Sequence, residues 1–206
     1  RRIPYRLRQM IRSPKYSAAY IGYEFLHNAQ YVSGLRTLRG RNTQLHFMEH
    51  HPAHAESAFL VSPFDRAALL TLDYIGEWPA TWAGVGEGTS VRHVYSEHYP
   101  NSLGVFYTAI TDYLGFLRAS DEYKVMGLAS YGKPEYLDEF RKIIAFLPHG
   151  RYRIDLSWFK CHYLPGSRHG YMSEGFVKRF GPPRTKGEAI EERHANIAAS
   201  AQAILE

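Results

Sequence analysis

Glu49-His50-His51-Pro52-Ala53-His54-Ala55-Glu56-Ser57-Ala58-Phe59 places three histidines within five residues, where a strand-like run (Gln44 to Met48) gives way to a helix-like one. Residues four apart share a helix face, so His50 and His54 can both turn toward one ion. Further on, Leu72-Asp73-Tyr74 sets a lone acid at the end of an apolar run, 67–73. A carboxylate delivered from the end of a neighbouring strand completes a two-His, one-Asp set with open positions. Such a set suits iron(II) or a catalytic zinc. His51 lies roughly a third of a turn from His50 on a helix, so it is better placed to touch a ligand or a partner backbone than the same metal.

Outward from this stretch, Pro52 to Leu60 reads as a helix and Ser62-Pro63-Phe64-Asp65 as a breaker. The run from Ala67 to Asp73 reads as a buried strand. Thr81 to Val85 and Val91 to Tyr95, joined by the turn 86–90, complete a three-stranded meander. Leu103 to Phe116 has helical spacing, with Ser102 as N-cap and Gly115 as its stop. A second helix is expected over Asp121 to Ala129 and a long one over Glu188 to Leu205. The stretch 148–183, rich in Gly, Pro, His and aromatic residues, reads as irregular with one strand, Tyr152 to Leu156. This order suggests an α/β protein in which residues 1–62 end one lobe and 63–206 begin another, with an irregular insertion at about 134–183.

Composition narrows the classes. The 206 residues are 45% hydrophobic and 15% aromatic, as in a folded domain. No window approaches the run of about twenty apolar residues that spans a bilayer, and no signal-peptide pattern opens the chain. A single cysteine, Cys161, excludes an internal disulfide framework and fits a reducing, cytoplasmic setting. Residues 1–41 hold nine Arg or Lys against one acid, whereas the remainder is net acidic. These bases are dispersed, and no helix-turn-helix, zinc-finger or RNP pattern accompanies them, so a solvated face is expected and no nucleic-acid or membrane partner. The chain starts without Met and stops inside an amphipathic run at Glu206, and is therefore expected to be a segment of a longer protein.

Several spaced motifs resemble one family. They are the histidine stretch, Ser62-Pro63-Phe64, Asp73 with Gly76-Glu77-Trp78, Asn101-Ser102-Leu103-Gly104-Val105-Phe106-Tyr107 and Tyr113-Leu114-Gly115-Phe116. Glu122-Tyr123-Lys124-Val125-Met126-Gly127-Leu128-Ala129-Ser130-Tyr131-Gly132 and, after a gap, Arg193 to Gln202 continue the series in order. Together they resemble the O-carbamoyltransferases of the nodulation and antibiotic-tailoring type (NodU/CmcH-like). The resemblance implies a two-lobed domain of the actin/sugar-kinase (ribonuclease-H-like) fold, only part of it present, and a YrdC-like carboxy-terminal domain in the full protein. It implies that carbamoyl phosphate and ATP give carbamoyl adenylate, whose carbamoyl group passes to a hydroxyl of a small-molecule acceptor of antibiotic or sugar type. It also implies a metal, iron(II) favoured over zinc, held by His50, His54 and Asp73.

Within that resemblance, His51 is the expected general base, and Gly76, Glu77 and Lys124 are expected to face phosphate. Glu122 is expected to orient Lys124 or a ribose. The same residues also read as a plain turn and an exposed helix charge pair. Tyr74 departs from the family, which usually carries Gly after the aspartate; a tyrosine is expected to resist positive φ and to crowd a close backbone–phosphate approach. Two alternatives compete: a related carbamoyl-handling enzyme of hydrogenase maturation or tRNA modification, and a non-catalytic binding module that uses the basic leader.

Overall fold

The structure, a computed structural model, describes His46 and residues 48–76, 79–160 and 170–206. The basic leader, most of the expected strand Gln44 to Met48, Glu77 and Cys161 lie outside the described residues. The chain divides into two units, Arg1–Met48 and Glu49–Glu206, and the elements that follow all lie in the second.

Helix α1 (His50–Phe59) begins two residues before the expected start, after an extended Glu49. Pro52 falls in its first turn, where backbone N–H groups have no intrahelical partner, so the missing donor costs nothing. His51, Ala55 and Phe59 recur every four residues and are buried. His50 and His54 occupy the adjacent stripe, which remains partly open.

Strands β1 (Arg66–Leu72), β2 (Pro79–Glu87) and β3 (Ser90–His98) form an antiparallel meander in the order β1-β2-β3. β1 is not a buried strand, contrary to the expectation from its apolar run. It is an edge strand among the described residues, and its exposure alternates: Leu70 and Leu72 are 65% and 53% exposed. Leu69 and Thr71 point to the other face, against α1.

Helix α2 (Leu103–Tyr113) starts where expected, with Ser102 Oγ accepting from Val105 N at 3.1 Å. Gly115 ends it in the left-handed region, φ +74°. Helix α3 (Glu122–Ala129) matches the sequence reading, whereas the stretch after it departs from it. Helix α4 (Leu137–Ile143) leads into β4 (Ile144–Leu147), which pairs antiparallel with β5 (Arg151–Ile154), and α5 (Glu174–Phe180) follows. The stretch expected to hold a single strand thus supplies much of the core. Phe140, Ile143, Phe176 and Phe180 pack against Phe106, Ile110 and Tyr113 of α2. These aromatic rings meet edge-on or tilted, as at Tyr113–Phe176 and Phe106–Phe140.

The last helix, α6 (Glu192–Ala203), starts four residues later than expected and is buried along most of its length. Its small residues allow close approach of the chain after α3. A Cβ on Gly132 would lie 2.1 Å from the Ala195 carbonyl. Two polar residues buried in α6, Asn196 and Ser200, satisfy backbone donors of that same segment: Asn196 Oδ1 accepts from Lys133 N (2.8 Å) and Ser200 Oγ from Tyr136 N (3.0 Å). Both sheets being antiparallel, the described unit is a mixed α/β domain. No helix among the described residues is long and apolar enough to cross a membrane.

Candidate functional site

The C-terminal end of β1 delivers Asp73 to the open stripe of α1. His50 Nε2 lies 2.6 Å from Asp73 Oδ2, and His54 Nε2 lies 3.1 Å from His50 Nε2 and 3.9 Å from the same carboxylate oxygen. One ligand atom from each residue falls within 4.8 Å of the others. An ionised carboxylate only accepts, so His50 Nε2 carries the proton of the short contact. Three ligand atoms therefore converge around a single proton. A cation in its place would use all three lone pairs, and the N, N, O donor set with open positions fits iron(II) or zinc. The site thus accommodates the metal implied by the resemblance.

Asp73 is placed by its backbone as much as by its side chain. The Ser102 hydroxyl faces the carbonyl oxygens of both Asp73 (3.1 Å) and Tyr74 (2.8 Å). A Cβ on Gly104 would lie 2.6 Å from the Asp73 carbonyl oxygen and from Tyr74 N. Tyr74 N donates to Asp73 Oδ1 at 2.6 Å. Burial pushes the Asp73 carboxyl up, but the hydrogen bonds from His50 and the Tyr74 amide, with the charges of His50 and His51, outweigh it. The net effect holds the pKa below the usual carboxylate value. Tyr74 does not adopt positive φ, so its departure from glycine strains nothing at this point.

His51 is 1% exposed and both ring nitrogens are engaged, Nδ1 with Thr71 Oγ1 at 2.6 Å and Nε2 with the Pro79 carbonyl at 3.0 Å. Desolvation lowers its pKa, against the raising effect of the Pro79 carbonyl. This arrangement leaves neither nitrogen open to take a hydroxyl proton, so the general-base expectation finds no support in the geometry. The expectation of contact with a backbone does, through Pro79.

Gly76 faces the histidines rather than open space for phosphate. A Cβ there would lie 2.5 Å from His50 Cδ2 and 2.7 Å from His51 Cδ2. Its amide donates to Pro79 O at 2.7 Å, so the turn closes beneath both rings.

Glu122 lies in reach of the site, because a cavity of about 530 Å³ is lined by Asp73, Tyr74, Gly104, Tyr107, Thr108 and Glu122, among others. Its Oε1 accepts from Thr108 Oγ1 and from Ala119 N, both at 2.8 Å. It does not orient Lys124, whose ammonium pairs instead with Asp121 at 2.8 Å. Lys124 lines a separate cavity of about 460 Å³, with Phe116, Tyr131 and Glu191. The structure therefore gathers His50, His54 and Asp73, sets Glu122 on a cavity that Asp73 also lines, and places Lys124 elsewhere. Thr71 and Gly104 were not singled out as site residues in the sequence; Thr71 was marked only by nearness to Asp73, and Gly104 by its place in the motif Asn101 to Tyr107 beside the Ser102 cap.

A mixed α/β domain with an open two-His, one-Asp cluster at a strand end defines a candidate metal-dependent enzyme domain. Comparison with known proteins makes it specific: the chain belongs to the carbamoyltransferase N-terminus family, whose model matches residues 6–206. It is similar to an uncharacterized protein of Synechocystis, 40% identical over 162 residues (78% of this chain, 26% of the relative). It is also similar to two nodulation proteins, NolNO of Sinorhizobium fredii and NolO of Bradyrhizobium diazoefficiens. These are 33% and 34% identical, over 80% and 77% of this chain and 22% and 26% of theirs. The chain spans about a quarter of the length of these curated relatives.

Proposed function

We propose that this chain contributes the metal-binding part of an O-carbamoyltransferase. In the proposed reaction, ATP, carbamoyl phosphate and water give carbamoyl adenylate, pyrophosphate and phosphate, and a hydroxyl of a small-molecule acceptor, a sugar or antibiotic type, attacks the carbonyl carbon of the adenylate and gives up its proton. The carbon–oxygen bond to adenylate breaks and AMP leaves. The observation that carries the reading is the convergence of His50, His54 and Asp73 in a chain of the carbamoyltransferase N-terminus family.

His50, His54 and Asp73 would hold a divalent metal, iron(II) favoured over zinc, which when bound supplies Lewis-acid polarisation of a carbonyl or phosphoryl oxygen. The remaining work falls to the chain. Asp73 stays ionised at neutral pH, consistent with its lowered pKa. Glu122 and Thr108 line the adjoining cavity and would orient a hydroxyl or ribose there. Lys124 is the candidate phosphate contact of the second cavity. The proposed architecture is the actin/sugar-kinase fold, completed in the full protein by a YrdC-like domain, and the proposed setting is the cytoplasm.

The test uses the full-length protein, purified anaerobically and given ATP and carbamoyl phosphate. Pyrophosphate release that requires carbamoyl phosphate, and that is lost in His54→Ala, is the expected outcome. A folded protein that releases none, with or without added iron(II), contradicts the proposal.

A further inference from the structure

Of the three clustered histidines, His51 alone is buried, and it uses both ring nitrogens on parts of the chain that position the others. The Pro79 carbonyl can only accept, so Nε2 carries the ring proton and Nδ1 accepts from the Thr71 hydroxyl. That hydroxyl belongs to β1, two residues before Asp73 and on the same face of the strand. One 2.6 Å hydrogen bond therefore joins the residue next to His50 with the strand that ends in Asp73. The second bond reaches Pro79 O, which also accepts from Gly76 N, so the turn under both rings is tied to the same imidazole.

We infer that His51 is a positioning residue, which with Thr71 sets α1 against the end of β1 so that His50 and His54 meet Asp73. The inference rests on the reading of those three as a metal site. The His50–Asp73 contact is 2.6 Å long, and a slip of α1 by about 1 Å takes it beyond hydrogen-bond range. Little else in α1 specifies that registration: its other buried residues, Ala55 and Phe59, are apolar, and apolar contacts are non-directional. Thr71→Val is the informative change, since it keeps the shape of the side chain and removes only the donor to Nδ1. Thr71→Ser keeps the donor.

The experiment titrates the metal-free full-length protein with cobalt(II) alone, against a competing chelator, and records the visible absorption of the bound ion. His54→Ala should abolish binding. Thr71→Val should weaken it roughly ten-fold, as loss of an outer-shell partner does, and should shift the absorption band, whereas Thr71→Ser should restore both affinity and spectrum. A core variant, Phe106→Leu, controls for general loosening and should lower the melting temperature without moving the band. Thr71→Val with wild-type affinity and spectrum overturns the inference while leaving the metal site intact. So does a Phe106→Leu protein that loses cobalt to the same extent as Thr71→Val. Undiminished binding in His54→Ala overturns the metal reading itself, and the inference with it.

Discussion

Replacing Gly76 by alanine separates two roles for the turn after Asp73. The new Cβ would lie 2.5 Å from His50 Cδ2, 2.7 Å from His51 Cδ2 and 2.8 Å from His51 Nε2, where ordinary contact needs 3.4–4 Å. One side must retreat by about 1 Å. His51 is buried and held at both nitrogens, so the strain falls on His50 and on the turn. A retreat of that size stretches the 2.6 Å His50–Asp73 contact out of hydrogen-bond range. Overpacking of this kind costs about 1–3 kcal/mol, and the lost hydrogen bond adds about 1 kcal/mol. Backbone conformation adds nothing, because Gly76 does not occupy the left-handed region. Urea denaturation of the metal-free protein should therefore show a loss of about 2–4 kcal/mol, accompanied by weaker metal binding. A Gly76→Ala protein with wild-type stability and metal affinity, impaired only in nucleotide binding, would refute the reasoning and return Gly76 to a phosphate role.

Ser102→Ala removes an N-cap and the hydroxyl that faces the Asp73 and Tyr74 carbonyls, and should cost about 1–2 kcal/mol in the same assay. Phe140→Ala should cost about 3–5 kcal/mol, because the ring is fully buried; a loss under about 1 kcal/mol would mean that α4 lies outside the core. His194 gives a pH dependence. Its pKa is lowered, chiefly by burial and then by Arg193, and its Nδ1 accepts from Glu191 N at 2.9 Å. Between its folded value and the ordinary histidine value of 6.5 the unfolded chain binds the extra proton, so stability rises with pH across that window and falls as pH drops below 6.5. Replacing His194 by Gln should flatten that slope; an unchanged stability–pH curve between pH 5 and 7 argues against the assignment.

The candidate site was legible where it depended on local spacing. His50 and His54 are four apart on a helix, and Asp73 ends an apolar run, so their meeting needed only that α1 pack on β1. The supporting residues were not legible, because each acts across the fold. Gly76 reads as a turn, and only its contact with two imidazoles explains why a side chain is excluded. His51 reads as a general base until Thr71 and Pro79 are seen to occupy both nitrogens. Lys124 sits near two acids in sequence, and helix geometry alone does not choose between them; the structure pairs it with Asp121. Elsewhere, the run 67–72 misled because apolar composition reports propensity, while burial depends on which face of an edge strand is covered. Helices α4 and α5, seven residues each, are too short to show a clear period, and their membership of the core comes from tertiary packing of aromatic rings.

The central claim is that His50, His54 and Asp73 bind one metal ion. Elemental analysis of the anaerobically purified full-length protein, beside His50→Ala, His54→Ala and Asp73→Ala, tests it most directly. The account predicts a bound transition metal in the wild-type protein that is lost in each folded variant. Metal retained in all three variants, or a folded wild-type protein that takes up neither iron(II) nor zinc, would contradict it.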